Sequence, residues 1–295
     1  MALIDHRSRP LGSLALIFTS WKIFLFAIAL GASVGPDYDT STSLFFDRVY
    51  GNLTAVPALA QRLTRWDALY FVHAARIGKL YEQEWAFGIG QSGLVSGLLS
   101  LVPNQALDVP EPLVGIAIAN LSHLLSVLIL YKLTVLVSAD RRLAYVASVL
   151  HVISPAGLFL SAPYAESPFS FLSFLGTWLF ALSYNHRHST VKHGLSIVGA
   201  GITFGLACIF RSNGLAYGLL FAVEAVRALI SFFQKPGLSS LLSVVFPVVG
   251  GLYIALGFAA PQAMAWMRYC SDFAIRPWCL NMPPSIYGFV QEYYW

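Results

Sequence analysis

The sequence predicts an all-α polytopic membrane protein, with about seven transmembrane helices and a large first lumenal loop, and three observations carry that prediction. Hydrophobic residues make up 57% of the chain and charged residues only 11%, against roughly 25% charged in soluble domains. The apolar residues are gathered into runs of about 20, the length that crosses the ~30 Å of hydrocarbon in a bilayer. The basic residues fall between these runs on alternate sides. Together these exclude a soluble enzyme. The formal charge of +4 and pI near 9.0 do not point to nucleic acid. No basic cluster interleaves with aromatics as a nucleic-acid surface would, and basic cytoplasmic loops give the same balance.

The first run, residues 11–31, follows Arg7 and Arg9 and lacks a small-residue cleavage site, so it reads as a first transmembrane helix rather than a signal peptide. Lys22 lies inside it. An intramembrane lysine is a functional candidate, with snorkelling and internal pairing as the competing accounts. From residue 32 to 112 no unbroken span appears. Gly35-Pro36-Asp37 marks a turn, and Asn52-Leu53-Thr54 is a glycosylation sequon that operates only on the lumenal side. Residues 56–78 place Leu59, Leu63, Trp66, Leu69, Tyr70 and Ile77 near helical spacing, interrupted by Arg62, Arg65, Asp67 and Arg76. They predict one amphipathic helix at the membrane surface. Residues 87–103 are apolar but short, an interfacial or re-entrant segment.

The second span is residues 113–137, in which His123 reads as a packed histidine and the sequon at Asn120 lies in the membrane. A basic loop at Arg141-Arg142 leads to a third span, 143–160, and the proline-framed turn 161–168 to a fourth, 169–184. Residues 194–233 are twice the length of one span and are broken by Arg211-Ser212-Asn213-Gly214, giving two helices. The seventh span is 238–260, and residues 261–295 form a mixed polar and aromatic lumenal segment. Glu224 and Arg227, three apart on one helix, make a structural pair. Cys208, Cys270 and Cys279 lack metal-ligand spacing. Cys270 and Cys279 lie together, either as a disulfide or as two thiols.

Placing the N-terminus in the cytoplasm puts Arg7, Arg9, Arg141, Arg142, Arg187, Lys192 and Lys235 inside and leaves Arg211 alone in the short loops opposite, as the positive-inside rule requires. The Asp67 loop, the Glu166 turn, the Arg211 break and the last segment then share the lumenal side.

Asp67 is the candidate catalytic carboxylate, since a partly buried aspartate can act as a general base. Helix capping, or pairing with Arg65, is the alternative. Glu82 and Glu84, beside Tyr81 and Trp85, suit sugar recognition, with rings on the apolar sugar face and carboxylates on hydroxyls. A solvated interfacial belt is the other reading. Glu166 is a second acid, an acceptor contact or a plain loop residue. Arg211 suits a lipid-linked phosphate or snorkels to the surface. No glycine-rich nucleotide motif occurs, so a nucleotide-sugar donor needing a metal is not expected.

Arg65-Trp66-Asp67 with Tyr70-Phe71, then Gly78, Tyr81-Glu82 and Ala86-Phe87, resembles the N-terminal signature of the PIG-V type of GPI mannosyltransferase, in its fungal form. Ser154-Pro155-Ala156-Gly157, Tyr164-Ala165-Glu166-Ser167, Arg211-Ser212-Asn213-Gly214, Trp278-Cys279 and Pro284-Ser285-Ile286-Tyr287 continue the resemblance in order along nearly the whole chain. Two departures stand out. Gly88-Ile89-Gly90 replaces a Phe-Pro-rich run, and the chain stops at Trp295 where members continue through further spans, which predicts a C-terminally shortened form.

The resemblance implies a GT-C fold, with residues 1–295 as one transmembrane glycosyltransferase domain and 32–112 as its lumenal catalytic loop. It implies transfer of the second mannose, in α-1,6 linkage, from dolichyl-phosphate mannose to the GPI precursor in the endoplasmic reticulum lumen, with inversion. Asp67 would be the base and Arg65 or Arg211 the phosphate-facing cation. Trp66, Glu82, Glu84, Glu166 and Asn213 would contact donor or acceptor, and Asn52 would be glycosylated. No cofactor is implied beyond the lipid-linked donor. The implied partners are membrane lipids and a small membrane subunit. A transporter, which would show inverted repeats meeting at the midplane, and a non-catalytic assembly subunit are the alternatives.

Overall fold

The computed structural model describes residues 8–35, 39–51, 56–101, 110–271 and 276–294. Arg7 and the sequon at Asn52 lie outside the described residues. The described chain is helical, without a strand: α1 (Pro10–Gly31), α2 (Ser41–Tyr50), α3 (Ala58–Leu63), α4 (Ala68–Ile77), α5 (Gly90–Ser100), α6 (Glu111–Ser138), α7 (Arg141–Val152), α8 (Glu166–Asn185), α9 (Thr190–Phe210), α10 (Gly218–Gln234), α11 (Leu238–Tyr269) and α12 (Ile286–Tyr293).

Five helical stretches among the described residues are long and apolar enough to cross a membrane: α1, α6, α9, α10 with its leading turn from Ser212, and α11. Seven spans were expected, and the third and fourth do not qualify. α7 is only 12 residues long, about 18 Å at 1.5 Å per residue. α8 reaches 20 residues, but Glu166, Ser170, Ser173, Thr177 and Ser183 dilute its apolar run. The break at Arg211 falls where expected, because Arg211 is extended at φ −145°, ψ 126° and a 3₁₀ turn follows before α10.

The chain forms two compact units, residues 1–80 with 91–171, and residues 81–90 with 172–295. In the first, α1 buries a single stripe of Ser13, Leu14, Phe18, Lys22, Leu25 and Ala29. Leu14 and Phe18 pack with Val127 and Tyr131 of α6 and Ala144 and Val152 of α7. The opposite face of α1, with Ile23 64% and Phe24 52% exposed, is apolar and open, as suits a helix whose remaining surface meets lipid. The turn from α6 to α7 is tight. Ala139 takes a left-handed conformation, and the Asp140 carboxylate accepts from the N–H groups of Arg142 and Leu143 at 2.8 and 3.0 Å, capping α7.

The expected continuous helix over residues 56–78 is two helices, α3 and α4, interrupted at Thr64–Asp67. Thr64 turns its hydroxyl back to the Ala60 carbonyl at 2.7 Å, and Trp66 adopts φ +50°. A left-handed residue ends an α-helix, and nothing in the local sequence, neither Gly nor Pro, announces it.

The second unit is built on contact between backbones. A Cβ added at Gly201 would collide with Gly250, and one at Gly205 with the Tyr253 carbonyl. α9 and α11 therefore meet along a seam of small residues four apart, the close-packing device of membrane helices. Beside it Phe180, Ile197, Phe204, Phe221 and Ile254 form the core. Glu224 of α10 pairs with Arg227 at 3.8 Å and also accepts from the Tyr184 hydroxyl at 2.9 Å. Cys270 and Cys279 form a disulfide.

Candidate active site

The break between α3 and α4 sets the geometry of Arg65, Trp66 and Asp67. Leu63 and Ala60 are buried and anchor α3, and Ala68, Phe71 and Val72 anchor α4. The chain between them must turn within the four residues Thr64–Asp67. It does so through the left-handed Trp66, at a backbone cost of about 1–2 kcal/mol, and such strain in non-glycine residues clusters at functional sites. The turn is held by backbone bonds from Ala68 N–H to the Arg65 carbonyl and from Leu69 N–H to the Trp66 carbonyl, both 3.0 Å. The Arg65 carbonyl also accepts from the Tyr164 hydroxyl at 2.9 Å. The Trp66 ring is left 65% exposed.

Asp67 occupies the N-cap position of α4, yet its side chain makes no capping hydrogen bond. That removes capping as the account of this residue. Its charge is felt at Tyr164: burial first, and then the negative charge of Asp67, push the Tyr164 hydroxyl up to about 12. The phenol stays protonated at neutral pH and continues to donate to Arg65.

A cavity of about 420 Å³ opens beside this turn. Ala29 and Ala32 at the end of α1, with Leu158, Phe159 and Ala162, form an apolar wall, while Arg62, Arg65, Asp39 and Tyr164 supply its polar groups and Trp66 sits at its edge. The combination suits a molecule with a hydrocarbon part and an anionic head: apolar surface for one and two guanidiniums for the other.

The structure thus brings Arg65 and Trp66 to the cavity, with Asp67 next to them. Glu166 stands in the first turn of α8, two residues beyond Tyr164, and is not among the cavity residues. In the second unit, Glu82 accepts from the Trp278 indole N–H at 2.9 Å and lies 3.6 Å from the Arg276 guanidinium. Glu84, 1% exposed, accepts from the Tyr81 N–H at 2.9 Å. Arg211 is half-buried and Asn213 exposed at the α9–α10 break. Among the described residues no three His, Cys, Asp or Glu side chains gather as a metal-ligand set.

Sequence reasoning passed over Arg62, Asp39 and Tyr164 as cavity residues. Tyr164 was visible in a proline-framed turn and in the resemblance, but not its contact with Arg65, because that partner is 99 residues away. It also passed over a polar cluster farther along α4. The Glu111 carboxylate, at the start of α6, accepts from the Tyr50 hydroxyl and from Arg76 at 3.2 Å, and the Arg76 guanidinium lies 4.6 Å over the Tyr50 ring. This fastens α2 and α4 to the first turn of α6.

A family model described as Mannosyltransferase (PIG-V) matches residues 14–295. GPI mannosyltransferase 2 of Gibberella zeae is 54% identical over all of this chain and 69% of its own length. The Aspergillus oryzae protein of that name is 37% identical over 98% of this chain and 67% of its own length. GPI alpha-1,6-mannosyltransferase 2 of Rattus norvegicus is 32% identical over 81% of this chain and 52% of its own. No solved structure matches the chain.

Proposed function

The chain belongs to the PIG-V mannosyltransferase family, and on that premise we propose that it adds the second mannose, in α-1,6 linkage, to the GPI glycolipid precursor, taking the sugar from dolichyl-phosphate mannose in the endoplasmic reticulum lumen. The observation that carries the reading is the strained Arg65–Trp66–Asp67 turn beside an apolar cavity with two arginines. The polyprenyl chain lies along the Ala29, Leu158 and Phe159 wall, and its phosphate faces Arg62 and Arg65. The exposed Trp66 ring covers the apolar face of a sugar.

In the reaction the 6-hydroxyl oxygen of the acceptor mannose forms a bond to the donor anomeric carbon while the bond from that carbon to the phosphate oxygen breaks. Asp67 takes the hydroxyl proton as general base. The electron pair leaves on the dolichyl phosphate, so the departing group needs positive charge rather than an acid. Attack from the face opposite the phosphate inverts the anomeric centre. Arg211, Asn213, Glu166, Glu82 and Glu84 stand as further donor- or acceptor-binding candidates.

The N-terminus lies in the cytoplasm. The Asp67 turn is then lumenal. Glycan-shift mapping at Asn52 checks this orientation, and an unmodified, cytosol-accessible Asn52 overturns it. The chemistry is tested by complementation in cells lacking the second GPI mannosyltransferase: the wild-type chain restores GPI anchoring and Asp67→Asn does not. Full restoration by Asp67→Asn refutes the base assignment.

A further inference from the structure

Lys22 is the one charged side chain on the buried stripe of α1, and it is 4% exposed. It does not snorkel. Its ammonium donates to the Ser161 hydroxyl at 2.6 Å and to the Gly157 carbonyl at 3.1 Å, and it lies 5.4 Å from the Phe18 ring centroid. The Ser161 hydroxyl donates in turn to the same Gly157 carbonyl at 2.9 Å, closing a triangle. Gly157 makes this approach possible, since a Cβ there would stand 2.6 Å from Leu25 Cδ1 and 3.4 Å from Trp21 Nε1, both on α1. α6 adds a second hold, from the Asn120 amide to the Ser161 carbonyl at 3.3 Å. α8 adds a third, from the Ser167 hydroxyl to the Leu160 carbonyl at 2.8 Å.

The clamped segment is the cavity wall itself. Leu158, Phe159 and Ala162 face the cavity. Tyr164 follows Ser161 by three residues, is fixed by its own N–H to the Ala162 carbonyl at 2.7 Å, and reaches the Arg65 carbonyl with its hydroxyl. A continuous line of hydrogen bonds and covalent chain therefore runs from a cation inside a membrane span to the carbonyl that precedes the left-handed Trp66. A cation in a span is costly, and attaching a loop to a helix requires no charge. Hydrogen bonds from a charged donor are about twice as strong as neutral ones, and holding a strained turn against relaxation uses that strength.

We propose that Lys22 is a positioning residue for the transfer reaction. Through Ser161 and Tyr164 it keeps the Arg65–Trp66–Asp67 turn in its strained geometry and the apolar wall in place. The proposal rests on the reading of that turn as the active site, and the test separates the two. In membranes, Lys22→Met and Tyr164→Phe each lower turnover about ten- to a hundredfold, the range for a small misplacement of catalytic groups. Combined, they do no more than the worse single variant, because they interrupt one line. Lys22→Arg, which keeps the charge and the donors, recovers part of the loss. Losses that multiply, or Lys22→Met at normal turnover, overturn the proposal.

A readout independent of catalysis uses Trp66→Cys and a membrane-impermeant maleimide. Adding Lys22→Met speeds labelling if the clamp holds the turn and leaves it unchanged if it does not. Should Lys22→Met fail to accumulate, Tyr164→Phe replaces it in both measurements. If Asp67→Asn stays active while labelling still responds, the clamp stands and the active-site reading falls. If labelling does not respond, the clamp falls whatever Asp67 does.

Discussion

Two stretches of this chain look alike in sequence and are held in different ways. Residues 63–71 and 81–87 are both polar, aromatic-rich islands carrying carboxylates beside tryptophan. In the first, Asp67 declines the capping role its position offers, Trp66 is strained and exposed, and Arg62 and Arg65 line a cavity. In the second, Glu82 is tied to Trp278 and Arg276, Glu84 closes onto the Tyr81 N–H, and Trp85 is buried with Ala265, Trp278, Ile286 and Val290. The difference teaches that an acid beside an aromatic ring is not a signal in itself. The part a carboxylate plays depends on where the surrounding fold directs its hydrogen bonds.

The sharpest way to break this contrast is a pair of substitutions in one assay. Asp67→Asn should lower turnover by about 10²–10⁴-fold while the amount of folded protein, read by size-exclusion profile in detergent, stays constant. Glu82→Ala should do the reverse, because it leaves the Trp278 indole, 1% exposed, without its acceptor at a cost of about 1–3 kcal/mol. A Glu82→Ala protein that folds normally but has lost donor affinity would place the second island in the binding site as well.

Gly88 offers a test of the closed region of about 2–3 kcal/mol, the size expected of a strained substitution. Its φ is +65°, and an added Cβ would stand 2.6 and 2.7 Å from the carbonyl oxygens of Phe210 and Ile209. The neighbouring Ile89 N–H binds that Ile209 carbonyl at 3.1 Å. Gly88→Ala should therefore lower the melting temperature of the solubilised protein, and an unchanged value would mean that this segment does not dock on the end of α9.

The smallest effect belongs to the cluster at the far end of α4. Arg76 is 40% exposed and its partner Glu111 11%, and the Glu111 carboxylate keeps the Tyr50 hydroxyl as donor, so Arg76→Gln should cost about 1–2 kcal/mol and leave turnover nearly intact. A large turnover loss there would extend the strained, functional region along the whole helix.

Much of the architecture was legible because spanning a bilayer depends on local composition. The run of α1, the length of α6 and the break at Arg211 follow from residues adjacent in the chain. The count was less legible. α7 stops after 12 residues and α8 interleaves its apolar residues with Ser170, Ser173, Thr177 and Ser183, and whether such a segment stays helical over a full span depends on what packs beside it. The interruption of the helix over residues 56–78 was illegible for a different reason. Trp66 is an ordinary helix residue by propensity, and only anchoring α3 and α4 on separate buried patches forces it into a left-handed conformation.

By itself, then, the sequence determined that this chain enters a membrane, where its apolar helices lie and which short loops carry the positive charge, because transfer into hydrocarbon is summed residue by residue along a segment. The tertiary structure decided the fate of each polar side chain. Lys22 meets Ser161 across 139 positions, Tyr164 meets Arg65 across 99, and Glu82 meets Trp278 across 196. Partners that distant are chosen by packing, and their choice left the Arg65–Trp66–Asp67 turn beside a cavity.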